Sequence, residues 1–272
     1  SSAVKRVAST PSARAGCVRA RAIVGRPRVS ASSVWQRQRA LALLVEAWPE
    51  LGSGAPPSLE ALGQMLAHTN WRLLPSVQGR PGQVRSRKAP PSYEASVMAG
   101  EIPTRPGSWH DVFNVIAFAR FPIAKAALHR RAGELQAARR ALAQAQGSRA
   151  NDRGREEDAL ALIDECSLVL AGTPEAIAQF EAIQTGSLDV IDRVIRSTGI
   201  GVRVLGHALH EHLVLERPPI STTLVTIVLE GPREWARVDA ALAERIAAGG
   251  FPRPQREARL PWPDPVVDAW LE

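Results

Sequence analysis

Cysteine is nearly absent from this chain: only Cys17 and Cys166 occur in 272 residues. Two thiols cannot form a disulfide framework or a thiolate-built zinc site, so a reducing compartment is the default expectation. No apolar run approaches the roughly 20 residues a membrane-spanning helix needs, and a soluble protein without a membrane span is expected. Clusters of aromatic residues with basic neighbours, which stacking platforms for nucleic acid use, are missing. Missing too are the G-x-G-x-x-G and P-loop nucleotide signatures and the G-x-S-x-G nucleophile elbow.

Acidic residues are lacking in one place in particular. Residues 1–30 carry Lys5, Arg6, Arg14, Arg19, Arg21, Arg26 and Arg28 with no Asp or Glu, and these account for the whole net charge of +7. The remainder, 31–272, is formally neutral and is expected to form a single domain. A disordered basic arm is therefore expected at 1–30, with three readings open. It resembles an organelle transit peptide, which would put the protein in an organelle matrix instead of the cytoplasm expected otherwise. It could touch nucleic acid or acidic lipid by salt-sensitive, non-specific attraction. It could also be an extension without function.

Hydrophobic spacing predicts a helix over 33–48, closed by Pro49, and a second one from the N-cap Ser58 to about His68. Residues 75–92, with Arg85, Arg87 and Lys88, read as a loop, followed by a short helix over 93–99. Ser108 caps a helix running to about Phe121, with Asp111 in the capping-box position. Pro122 breaks that helix and suits the first turn of the next, to about Gln146. A polar linker is expected at 147–157. Residues 159–172 read as two short strands around a turn near Glu165–Ser167. Helices follow at 173–186 and 187–197, then a strand that becomes a helix at Gly206, a strand over 221–230, and a helix over 233–248. The Pro-rich tail is expected to pack without regular structure. The resulting class is α+β, a predominantly helical domain with a small sheet of short strands.

Chemistry concentrates in a few segments. His110 and Asn114 share a helical face, with Asp111 adjacent, Arg105 just upstream and Lys125 one kink further on. Arg105 and the helix start suit an anion. Asp158 and Asp164 lie six positions apart, so an extended strand would aim both to one face; with Glu165 they could hold a divalent metal or merely mark a solvated strand end. HALHEH at 207–212 invites a zinc reading. Neither ordered zincin pattern fits it, because the second is broken by the five-residue spacing of His207 and His212. His207 and Glu211 would still share a face, while His210 and His212 read as surface residues. Cys166 has no flanking His to activate it.

These segments resemble a bacterial family known as domain of unknown function 3025. The resemblance rests on YE at 93–94, PTRP at 103–106, WHDVFN at 109–114, FPIAKAAL at 121–128, DALALIDE at 158–165 and GHALHE at 206–211. It covers about 90–230. It implies no activity, but it implies that the His, Asp, Asn, Lys and acidic positions belong to one feature.

Three functional expectations follow. The first is a hydrolase or phosphoryl-type enzyme. Its catalytic set would be His110, Asp111, Asn114, Lys125, Asp164, Glu165 and His207, with Arg105, Asp158 and Glu211 as substrate-binding groups and an anionic small molecule as substrate. His110 or His207 would be the general acid/base, and Lys125 or Arg105 would hold the anion. The second is a non-catalytic module that binds nucleic acid or an assembly partner through the arm and residues 80–90. The third is a buried polar network that only fixes the fold.

Overall fold

The computed structural model describes residues 34–35, 38–76, 92–147, 153–249 and 259–272. The basic arm at 1–30 and Arg85, Arg87 and Lys88 lie outside these. In chain order the elements are α1 (Arg39–Ala47), a 3-10 turn (Pro49–Ser53), α2 (Leu59–Met65), β1 (Arg72–Pro75), α3 (Tyr93–Met98) and β2 (Glu101–Thr104). Then come α4 (Trp109–Arg120), α5 (Pro122–Ala145), α6 (Arg155–Cys166), β3 (Ser167–Gly172), α7 (Pro174–Ile183) and α8 (Leu188–Thr198). The chain continues through β4 (Gly201–Val204), α9 (His207–Val214), β5 (Ile220–Val228), α10 (Trp235–Ala247), β6 (Arg259–Trp262) and α11 (Pro265–Asp268). The class is α+β, mostly helical, as the hydrophobic patterning indicates.

The main sheet has the order β4-β3-β5-β6, with β3 parallel to β5 and the outer pairs antiparallel. Every residue of β3 is buried, as a central strand covered on both faces requires. Alternation splits it between two cores. Leu168 and Leu170 join Phe113, Phe180 and Trp262 on one face, while Val169 and Ala171 join Phe121, Leu128 and Leu242 on the other. A second, two-stranded sheet pairs β1 with β2 in parallel; periodicity gave no sign of it, because four-residue strands carry little pattern.

Helix α4 passes through the interior, with every residue from Asp111 to Ala119 buried. Ser108 Oγ accepts the Asp111 N–H at 3.3 Å, so the expected cap forms. The reciprocal half of the capping box does not, because the Asp111 carboxylate turns instead to Arg105. Pro122 opens α5 at a bend of 113°. The first turn of α5 is capped from a distance: Asp239 in α10 accepts the N–H groups of Ile123 at 2.9 Å and Ala124 at 2.8 Å. No single helix among the described residues is long and apolar enough to cross a membrane.

Two expectations need correction. Residues 155–166 form α6, not a linker followed by a strand. Glu156, Glu157 and Asp158 sit in its first turn, where the helix dipole favours anions, and Glu157 accepts the Gly154 N–H at 2.8 Å. The apolar run that follows fits either period, but Ala159, Leu160 and Ile163 bury one helical face, and the strand starts only at Ser167. In the tail, β6 completes the sheet against β5 and α11 follows it, so this segment does have regular structure.

Candidate active site

The end of α6 and the start of α9 are locked together. The N–H groups of Leu205 and Gly206 donate to Ser167 O at 3.1 and 2.9 Å. Ser167 Oγ donates to Ile163 O at 2.6 Å, and Thr222 Oγ1 donates to Cys166 O at 3.1 Å. A Cβ on Gly206 would collide with the backbone nitrogens of Cys166 and Ser167, so only glycine permits this approach. Its consequence is that His207, one residue on, lies against Asp164 and Glu165.

Around this junction the polar side chains of four helices meet a cleft of about 400 Å³. From α4 comes His110, whose Nε2 lies 3.1 Å from His207 Nε2 and whose Nδ1 lies 3.1 Å from Glu211 Oε2. Glu211 is in turn held by Arg217 Nη2 at 3.0 Å. Glu165 Oε2 stands 3.4 Å from His207 Nε2. Below them Lys125, 0% exposed, donates to Asp164 Oδ1 and to Asn114 Oδ1 at 2.8 Å. Asn114 Nδ2 approaches the Tyr93 hydroxyl at 2.6 Å, and His129 Nε2 lies 3.9 Å from Asp164 Oδ2.

The electrostatics follow from burial and pairing. Burial alone would raise the Asp164 carboxyl, but Lys125, then His207 and His129, hold it well below the usual carboxylate range. Burial pushes His207 down to about 3 and His129 down to about 4, so both imidazoles are neutral at ordinary pH. Burial, then Asp164, raises the carboxyl of Glu165 and the hydroxyl of Tyr93. Burial lifts the Cys166 thiol to about 11, which removes it as a nucleophile. Two carboxylates in the last turn of α6 also oppose its dipole, an arrangement that stability alone does not favour.

The structure brings His110, Asp111, Asn114, Asp164, Glu165, His207 and Arg105 to the cleft wall, with Lys125 beneath and Glu211 behind His110. It does not bring Asp158 there. Six positions along a helix turn the two carboxylates to different sides, and Asp158 is exposed at the far end of α6. Nor do the two expected anion-binding cations stay open to a ligand. Lys125 is committed to Asp164, and Arg105 makes a bidentate pair with Asp111 at 2.8 and 2.6 Å while its N–H also donates to Asp111 at 2.7 Å. His210 is buried and stacked on Phe113 at 5.3 Å, not on the surface. Tyr93, His129, Gln136 and Arg153 join the lining; of these only Tyr93 had a signal, as part of the YE pair.

A family model described as Protein of unknown function (DUF3025) matches residues 82–267, more than half the chain. The chain belongs to that family. The match extends beyond the 90–230 carried by the motifs and takes in every residue of the cleft except Ser76. No similar curated protein and no similar solved structure was found for this DUF3025 member.

Proposed function

We propose that the protein is an enzyme and that the cleft hydrolyses a polar small molecule by acyl or phosphoryl transfer to water. The observation that carries this reading is the convergence of His110 and His207 Nε2 with Glu165 Oε2, from three helices, at a point on the wall of a solvent-open cleft. Water held there faces Glu165, whose side chain is 42% exposed. His207 is 3% exposed, and His110 is held by Glu211 through Nδ1, so Glu165 is the group of the three most open to the cleft. Glu165 therefore takes the water proton, and the two histidines position the oxygen. The oxygen bonds to the electrophilic carbon or phosphorus, the bond to the leaving group breaks, and the leaving group takes the proton back from Glu165. An anionic substrate group would meet Arg153 at the lining, since Arg105 and Lys125 are already paired.

The test is a panel of chromogenic carboxylic and phosphate esters assayed with the full chain, His110→Ala and Glu165→Gln. Wild-type turnover that falls by about 100-fold or more in both variants, with thermal melts unchanged, is the expected outcome. Variants as active as wild type would end the reading. The acid-free charge of residues 1–30 favours a second, independent reading, attraction to nucleic acid. Its test is whether binding to a random-sequence duplex weakens steeply with salt and disappears when residues 1–30 are deleted.

A further inference from the structure

We propose that His110, His207 and Glu165 are the protein ligands of one divalent transition-metal ion, zinc being the best match. The proposal deepens the hydrolytic reading of the same cleft but rests on coordination geometry. One ligand atom from each of the three residues lies within 4.8 Å of the other two. Ligands bound to zinc at about 2.0–2.1 Å in a tetrahedron stand about 3.3 Å apart; the His110–His207 separation is 3.1 Å and the His207–Glu165 separation is 3.4 Å.

The tautomers support a cation at this point. Glu211 can only accept, so His110 carries its proton on Nδ1 and turns the Nε2 lone pair inward. His207 Nδ1 is buried without a hydrogen-bond partner, and its nearest carboxylate oxygen is Asp164 Oδ1 at 3.9 Å. That oxygen accepts from Lys125 Nζ and so presents an acceptor toward Nδ1, which leaves the Nε2 lone pair of His207 facing that of His110. A carboxylate oxygen completes a set of three acceptors. One shared proton could satisfy two of them; a divalent ion satisfies all three. Glu211 behind His110 is the kind of outer carboxylate partner that fixes a metal-bound histidine. Two nitrogens and one oxygen, with the remaining direction open to the cleft, form the donor set of a catalytic zinc site. Glu165 would then give one oxygen to the ion and keep the other for the proton. Because the ligands lie in three separate segments, WHDVFN, DALALIDE and GHALHE, no contiguous metal-binding motif announces them.

The experiment uses the full chain stripped with a chelator and titrated with Zn²⁺ in a calorimeter, and separately with Co²⁺ followed by visible absorption. One ion per chain is expected, with the d–d bands of a four- or five-coordinate cobalt site. His110→Ala and Glu165→Gln, both at part-exposed positions, should weaken binding by about 100-fold or more. Glu211→Gln, which acts through His110, should weaken it by about 10–100-fold. Wild-type protein that takes up no stoichiometric ion, or takes it up equally in the His110 and Glu165 variants, overturns the site; the wild-type measurement does so even if a variant fails to fold. Binding without any turnover would remove the hydrolase and keep the ion. Turnover by a wild-type protein that takes up no ion would do the reverse.

Discussion

Two sets of carboxylates in this protein have opposite uses. Asp239 and Asp268 end at backbone N–H groups. Asp239 caps α5, while Asp268 caps α1 through Arg39 N at 2.6 Å and Ala40 N at 2.9 Å. Asp164, Glu165 and Glu211 instead end at side chains, a lysine and histidines, beside a cleft. The electrostatics diverge accordingly: burial raises the Asp239 carboxyl despite its two amide partners, whereas Lys125 reverses the effect of burial on Asp164. Burial of an acid therefore does not mark a site. What marks it is a set of ionisable partners arranged around space that water can reach.

The contrast can be broken most forcefully at Lys125. Lys125→Met leaves Asp164 without its cation, and a loss of about 3–5 kcal/mol in chemical denaturation is expected. A loss below about 1 kcal/mol would mean that water reaches Asp164 freely and that the ion pair is not a buried one. Acid provides the next largest effect. His129, facing Lys125, Asp164 and Glu94, and His210, facing Arg120 and His207, are depressed from 6.5 to about 4 and about 3. Neutral imidazoles in the fold mean that their contribution is complete above the ordinary value and is lost as pH falls below it. At pH 5 each costs about 2 kcal/mol relative to pH 7. Denaturation curves that overlay at the two pH values would show that these imidazoles can charge in place.

Asp239→Ala sharpens the comparison from the other side. It frees two helix-start N–H groups, at an expected cost of about 1–3 kcal/mol, with turnover per folded molecule unchanged. A selective loss of turnover would move Asp239 into the functional set. The smallest effect belongs to Asp158→Asn, within about 0.5 kcal/mol and without change in activity. Any larger catalytic effect would restore the pairing of Asp158 with Asp164 that α6 rules out geometrically.

Much of the fold is legible in the residues. Ser108 and Pro122 set where α4 and α5 begin, and Gly206 marks a close approach that tolerates no side chain. The misreading of 159–166 as strand arises because ALALI satisfies periods of 2 and 3.6 together. The acids of its first turn were the better guide, since they complement a helix dipole and do nothing for a strand. Asp111 shows a second limit. Its spacing from Ser108 is right for a capping box, yet the Arg105 guanidinium offers charge-assisted bonds that outcompete one backbone N–H.

Local propensity and chemical type, then, were set by the chain's own order of residues: which segments wind into helices, where they stop, and which side chains can carry protons or ligate ions. The family resemblance implies that positions 110, 165 and 207 belong to one feature, but only tertiary structure decided where they meet, that Lys125 and Arg105 are consumed by internal partners, and that Asp158 is left outside. The physical reason is range. Capping and periodicity act over a few residues, whereas a three-helix junction depends on packing contacts between segments about forty to a hundred positions apart, which no local pattern encodes.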